Sequence, residues 1–448
     1  MTLSYVTRLV LTAMQGILLV SCGNGGGGHL TPPSFAIGGT VSGLSAGQKI
    51  VLVNNGSDSI TVAVNGAFTF DTRVGDNGSY AVTIGTQTTA QNCTVSNGSG
   101  SGVTADVTTV KVSCSSMALY AYVVNNGDNT VSQYTIGTAG ALAPMSTPTV
   151  PTGTSPQSIS VDSTGRYAYV ANLGDNTVSQ YTITSSGALT PNMPATVPTG
   201  SGPSAAALDS AGQYAYVLNS NDNTVSQYTI GSGGALTPMS PATVPSGNHP
   251  WSITLDSTGH YVYVSNHLDT TVSEYAVGAT GLLTPLNPAV AGAGTKPSGI
   301  AVDPVSPYAF VANLTDGTVS QYSIGSGGLL TAQTPAVVAA GTQPVFIAVD
   351  ATGQYAYVVD YAAGNAGAIS QFTIDGSGIL APMAAPTVSV GRGPTWMAFN
   401  GAGQYAYVTN SSDGTVSQFA IGSDGSLTPL STPTVPTGTQ PYAIVTAY

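Results

Sequence analysis

The sequence predicts an all-β protein, a seven-bladed β-propeller of four-stranded blades preceded by a small β-sandwich. Three observations carry the prediction. A tyrosine-rich segment recurs seven times, each repeat alternates short β-rich runs with turn residues, and the first and last repeats are incomplete in complementary ways.

The recurrent segment, Tyr-Ala-Tyr-Val-x-Asn or a close variant, begins at Tyr120, Tyr167, Tyr214, Tyr261, Tyr308, Tyr355 and Tyr405, at intervals of 47 residues five times and then 50. A fixed period of this length marks a repeat architecture. Each unit runs Pro-x-x-(Ile)-x-(Val/Leu)-Asp, a turn such as Ser163-Thr164-Gly165, the Tyr segment, and a loop such as Leu173-Gly174-Asp175-Asn176. Thr-Val-Ser-Gln-Tyr and a Gly-rich turn before Leu-Thr-Pro complete it. That is four short strands per unit. Tyr167 and Tyr169 alternate with Ala168 and Val170, and large and small residues on opposite faces suit a blade packed between two neighbours. The repeat starts at Met117 without its Pro-x-x-Ile strand, while the chain finishes with Pro441-Tyr442-Ala443-Ile444-Val445-Thr446. The last strand should therefore complete the first blade, leaving no free edge at the seam. A solenoid would cap its ends instead of splitting one unit between them.

Residues 34–116 alternate β-rich runs such as Ile50-Val51-Leu52-Val53 and Ile60-Thr61-Val62-Ala63-Val64 with the turns Asn54-Asn55-Gly56 and Asn65-Gly66, which reads as the small β-sandwich. Its opening, Ile37 to Leu44, resembles immunoglobulin-like and prealbumin-like modules of bacterial surface proteins. Residues 1–22 read as a signal peptide. Arg8 precedes twelve uncharged residues, Leu9 to Val20, too few for a membrane-spanning helix, which needs about 20. Leu19-Val20-Ser21-Cys22 resembles the lipobox of bacterial lipoproteins, which implies lipidation of Cys22 and anchoring in the bacterial cell envelope. Gly23 after that cysteine implies the outer membrane. Residues 23–33, rich in glycine, are then a flexible tether. With Cys22 acylated, Cys93 and Cys114 are left to pair in an oxidising compartment, a loop closure worth roughly 3 kcal/mol.

Composition excludes some functions. Only 6% of residues are charged and the net charge is −12. Residues 117–448 hold just three cations, Arg166, Lys296 and Arg392, against fifteen acids, which cannot supply the phosphate contacts that nucleic-acid binding needs.

At Tyr407-Val408-Thr409-Asn410 the chain spells the signature of YVTN-type propeller repeats, and residues 117–448 resemble the lactonase-like seven-bladed propeller family. The resemblance implies the propeller fold and, by family, hydrolysis of a lactone in the manner of a 6-phosphogluconolactonase. The shared residues form strands and turns, so the likeness speaks to fold more than to a site.

A site is sought where the repeats disagree. Before the recurrent proline stand Ser155, Gly202, His249, Lys296, Gln343, Gly393 and Gln440, and after it Gln157, Ser204, Trp251, Ser298, Val345, Thr395 and Tyr442. With Arg392, Trp396, His267 and the Asp360-Tyr361 insertion, the unusual chemistry falls on blades four to seven and blade one. Trp251, Trp396 and Tyr442, with Asp360 and Tyr361, are the expected ligand-binding residues, and the alternative for the tryptophans is packing between blades. His249 and His267 share a blade and a face and are candidate general bases, with Lys296 and Arg392 as the cations for a carboxylate or phosphate. The aspartates of both turn classes, Asp162 to Asp350 and Asp128 to Asp413, are expected to bond their own turns. Gly43-Leu44-Ser45-Ala46-Gly47 matches G-x-S-x-G but lies between strands, without the strand-to-helix elbow that this nucleophile requires. The four histidines lack metal-ligand spacing, and no metal or cofactor is expected.

Three functions follow. The first is a lipid-anchored envelope protein whose propeller is a binding or scaffolding platform for another envelope protein. The second is a lactone hydrolase, and the third a lectin-like binder of a glycan.

Overall fold

The computed structural model describes residues 32–45, 47–86, 91–116, 119–362 and 366–447. The leader, the tether and Cys22 lie outside them. No helix occurs among the described residues, which divide into two compact units near Ser115 and Ser116.

In the first unit, Gly66–Thr69, Ile37–Ser42, Val107–Ser116 and Gln91–Ser96 form one four-stranded sheet, and Asp58–Val62, Ile50–Asn54, Gly78–Thr86 and Ser99–Val103 form another. Ile37, Val110 and Val112 of one sheet share a core with Ile50 and Leu52 of the other, all fully buried. A disulfide links Cys93 to Cys114, whose strands are neighbours in the first sheet. The Gly43–Gly47 stretch joins the strands Ile37–Ser42 and Ile50–Asn54.

The second unit is the propeller. Blade two shows the plan. Pro156–Val161, Tyr167–Asn172, Thr177–Ile183 and Leu189–Pro198 form an antiparallel meander, and blades three to seven repeat it from Pro203, Pro250, Pro297, Pro344 and Pro394. Blade one is composite. Its strands Leu119–Asn125, Thr130–Ile136 and Leu142–Pro151 are joined by Pro441–Ala447, which pairs Tyr120 with Ala447 and Val123 with Ile444. The first strand of each blade touches that of the next, and Pro441–Ala447 lies between Pro394–Phe399 and Pro156–Val161, so the ring closes.

The middle strands are buried on both faces, as alternation with two apolar neighbours requires. Two kinds of side chain also lock each blade to the next, except that blade five has Phe310 in place of the donating tyrosine. The second tyrosine of the Tyr segment donates to a glycine carbonyl of the neighbour, as Tyr122 to Gly187 (2.6 Å) and Tyr407 to Gly140 across the seam (2.7 Å). The glutamine of Thr-Val-Ser-Gln accepts a backbone N–H from the neighbour, as Gln133 from Leu189 (2.7 Å) and Gln418 from Leu142 (2.7 Å). Buried polar groups are thereby satisfied between blades.

Candidate functional site

Two kinds of loop share one face of the ring, the loops before each proline and the hairpins after the Tyr segment. They bond backbone to backbone, with His267 N donating to His249 O (3.0 Å) and Tyr361 N to Gln343 O (2.8 Å). The aspartates divide between two roles. Asp162 takes N–H groups of its own turn, from Arg166 and Tyr167 (both 2.7 Å). The hairpin aspartates instead reach across to the loop before the proline, as Asp222 to Ser201 N (2.6 Å), Asp316 to Thr295 N (2.6 Å) and Asp413 to Arg392 N (2.7 Å). That corrects the expectation that they bond their own turns. The paired backbones bring each carboxylate over the free N–H of the adjoining loop.

In every blade but the sixth the residue before the proline lies in the left-handed region, with φ of 54° at His249, 54° at Lys296 and 50° at Gln440. Gly202 and Gly393 take the same place in blades three and seven at no steric cost. A side chain there costs about 1 kcal/mol.

His249, Trp251 and His267 come together on blade four. The His267 ring stacks on Trp251 at 4.8 Å and 24°, and lies 6.1 Å from that of His249. Pro297 O, 3.2 Å from His267 Nδ1, can only accept, so Nδ1 carries the proton and Nε2 presents a lone pair. Burial lowers the His267 pKa from its usual value, and His249 and Lys296 add to the lowering against the Pro297 bond, so the ring is neutral at neutral pH. Lys296 is exposed on the adjoining loop.

A cavity of about 290 Å³ lies beside this cluster, walled by Trp251, Phe346, Tyr361, Trp396 and Tyr442. Phe346 and Trp396, from the first strands of blades six and seven, approach to 4.3 Å between ring centroids. Tyr442 comes from the closing strand, and burial, followed by the neighbouring Tyr361, pushes its phenol up to about 12. Trp251, Trp396, Tyr442 and Tyr361 thus share one space, and Trp396 also packs against the blade cores. The two histidines, Lys296, Arg392 and Asp360 do not line it.

Arg392 ends the outer strand of blade six, and its Nε donates to Asp413 at 2.6 Å, so its charge is already paired. Asp360 is 4% exposed and stands where six blades have asparagine. It accepts from Ser370 Oγ (2.7 Å), and burial pushes its carboxyl up to about 6. Phe346 is the wall residue that the irregular positions beside the proline do not reveal. Its signal lies one residue further on, where blades one to five carry the small residues Ala443, Ser158, Ala205, Ser252 and Gly299.

A seven-bladed ring of four-stranded blades, with an aromatic cavity walled from blades four to seven and blade one, defines a β-propeller with a candidate small-molecule site on one face. The family model of the seven-bladed β-propeller lactonases matches residues 77–204, 158–333, 278–390 and 328–443, and the chain belongs to that family. Among solved structures it is similar to a protein of Bacteroides fragilis NCTC 9343 proposed to be a 6-phosphogluconolactonase, with 18% identity over 74% of this chain and 98% of that one and a TM-score of 0.64. It is also similar to the periplasmic gluconolactonase of Pseudomonas aeruginosa, with 20% identity over 74% and 99% and a TM-score of 0.60. At these identities the likeness carries the fold alone. No curated protein matches the chain.

Proposed function

We propose that the chain is a lactone hydrolase in which His267 is the general base. The observation that carries this is the Nδ1–H bond to Pro297, which leaves a neutral imidazole, stacked on the cavity residue Trp251, whose Nε2 bonds to none of the described residues. Family membership favours hydrolysis over the platform reading. In this reading Nε2 takes a proton from water, the hydroxide oxygen bonds to the lactone carbonyl carbon, and Lys296 faces the tetrahedral oxyanion. Collapse breaks the ring C–O bond, and the imidazolium returns its proton to the departing alkoxide, yielding the open hydroxy acid.

The test is hydrolysis of a panel of aldonolactones by the purified chain. His267→Gln should lower kcat by roughly 10²–10⁴ while leaving the melting temperature unchanged. The rate should rise with pH as His267 loses its proton and level off above a midpoint below 6.5, because the pKa is lowered and the neutral form is active. A wild-type chain without turnover, or a variant with full activity, overturns the proposal. The aromatic walls of the cavity, which include neither histidine, favour a second reading of sugar binding without turnover. We further propose that Cys22 is acylated and holds the protein to the bacterial envelope, which the lipobox-like Leu19–Cys22 supports.

A further inference from the structure

A second cavity, of about 520 Å³, shares Tyr361, Ser411 and Tyr442 with the aromatic one. Its remaining walls are polar, and the fold already uses several of them. Asn126 Nδ2 donates to Pro156 O (3.2 Å), Thr439 Oγ1 donates to Asp128, and Asp413 holds Arg392. Gln157 and Gln440 differ. Both side chains line this space, and neither amide hydrogen bonds to any of the described residues. The same holds for the Tyr361 and Tyr442 hydroxyls. Gln440 is moreover held at a φ of 50°, where Gly393 and Gly202 serve two other blades.

The charges select among ligands. No lysine or arginine lines the polar cavity, while the Asp413 carboxylate does, kept ionised by its bonds to Arg392. With Asp413 and Arg392 paired to each other, no unpaired cation is left there for a phosphate. Primary amides and phenols instead offer donors and acceptors together, which suits hydroxyl groups, and the tyrosine rings at the junction offer faces to an apolar sugar surface.

We infer that the two cavities form one groove for a neutral glycosylated aldonolactone, the lactone ring lying against Trp251 and Trp396 and the sugar substituent against Gln157 and Gln440. This rests on the lactonase reading, and deepens it by assigning the substrate as unphosphorylated and two rings long. Trp251 and Trp396 are the chain's only tryptophans and both line the groove, so intrinsic fluorescence reports its occupancy.

Fluorescence titrations of the full chain would compare glucono-1,5-lactone, its 4-O-glucosyl homologue, 6-phosphogluconolactone, and cellobiose, which has no lactone to open. The two-ring lactone should bind at least tenfold tighter than gluconolactone, and the phosphorylated one more weakly than either. Gln157→Ala combined with Gln440→Ala should erase the tenfold gain, leave gluconolactone affinity and the melting temperature unchanged, and weaken cellobiose. Equal affinity for one and two rings, tightest binding of the phosphorylated lactone, or a double variant that keeps the gain would each overturn the inference. Cellobiose binding that depends on both glutamines in a chain without lactone turnover would uphold the sugar subsite and remove the hydrolase reading. Turnover with no preference for the second ring would do the reverse.

Discussion

Single residues that break the repeat show what the repeat does. Six blades place a glutamine at the neighbour lock, its Oε1 accepting a backbone N–H and its Nε2 donating to the carbonyl fourteen residues on, as Gln227 to Pro241 (3.3 Å) and Gln321 to Pro335 (3.0 Å). Blade four has Glu274, 1% exposed, which still accepts from Leu330 N (2.6 Å). An ionised carboxylate cannot donate to Pro288 O, the corresponding carbonyl, but a protonated one can. Burial raises the Glu274 pKa against the Leu330 bond. A carboxyl with a raised folded pKa contributes stability that is full below its usual value of 4.5 and is lost as pH rises through the folded one. Glu274→Gln should therefore raise the melting temperature by about 2–4 °C at pH 8 and leave it nearly unchanged at pH 4. Equal shifts at both pH values in calorimetry would count against this account.

At the scale of the element, the first strand of each blade both walls the channel and supplies the site. Gly299 shows how tightly these strands meet, since a Cβ there would lie 2.7 Å from the Phe346 Cα of the next blade. The closing strand Pro441–Ala447 pairs with Leu119–Asn125, touches two neighbouring blades and delivers Tyr442 to both cavities. Deleting residues 441–448 should expose the edge of Leu119–Asn125, lower the melting temperature by about 10 °C or more, and shift size-exclusion profiles toward oligomers. A truncated chain that stays monomeric and melts like the wild type would refute the role of that strand.

Over the whole molecule, seven near-equivalent blades make the ring and a few departures make the site. The departures gather on blades four to seven and blade one, leaving blades two and three as scaffold apart from Gln157. The two cations of the loops before the prolines differ, with Lys296 exposed and Arg392 tied to Asp413. If the chain is anchored through Cys22, Cys22→Ser should release a folded protein into the soluble fraction with acyl-label incorporation lost. Label retained on the variant would sink the anchor.

The sequence by itself determined the blade number, the strand order within a blade and the completion of blade one by the C-terminal strand. Turn residues and period-two alternation act locally, and seven copies in like surroundings report the same choice seven times. It also pointed to Trp251, Trp396, Tyr361 and Tyr442, because a large ring amid small or polar equivalents stands out in an alignment of the repeats. Only the tertiary structure decided which irregular residues meet. Phe346 faces Trp396 because adjacent first strands converge on the channel. Arg392 is neutralised because a hairpin carboxylate reaches into its loop, and Asp360 is buried because it fills an asparagine slot. Such contacts depend on radial position in the ring and on how two loops lie against each other, and sequence spacing encodes neither.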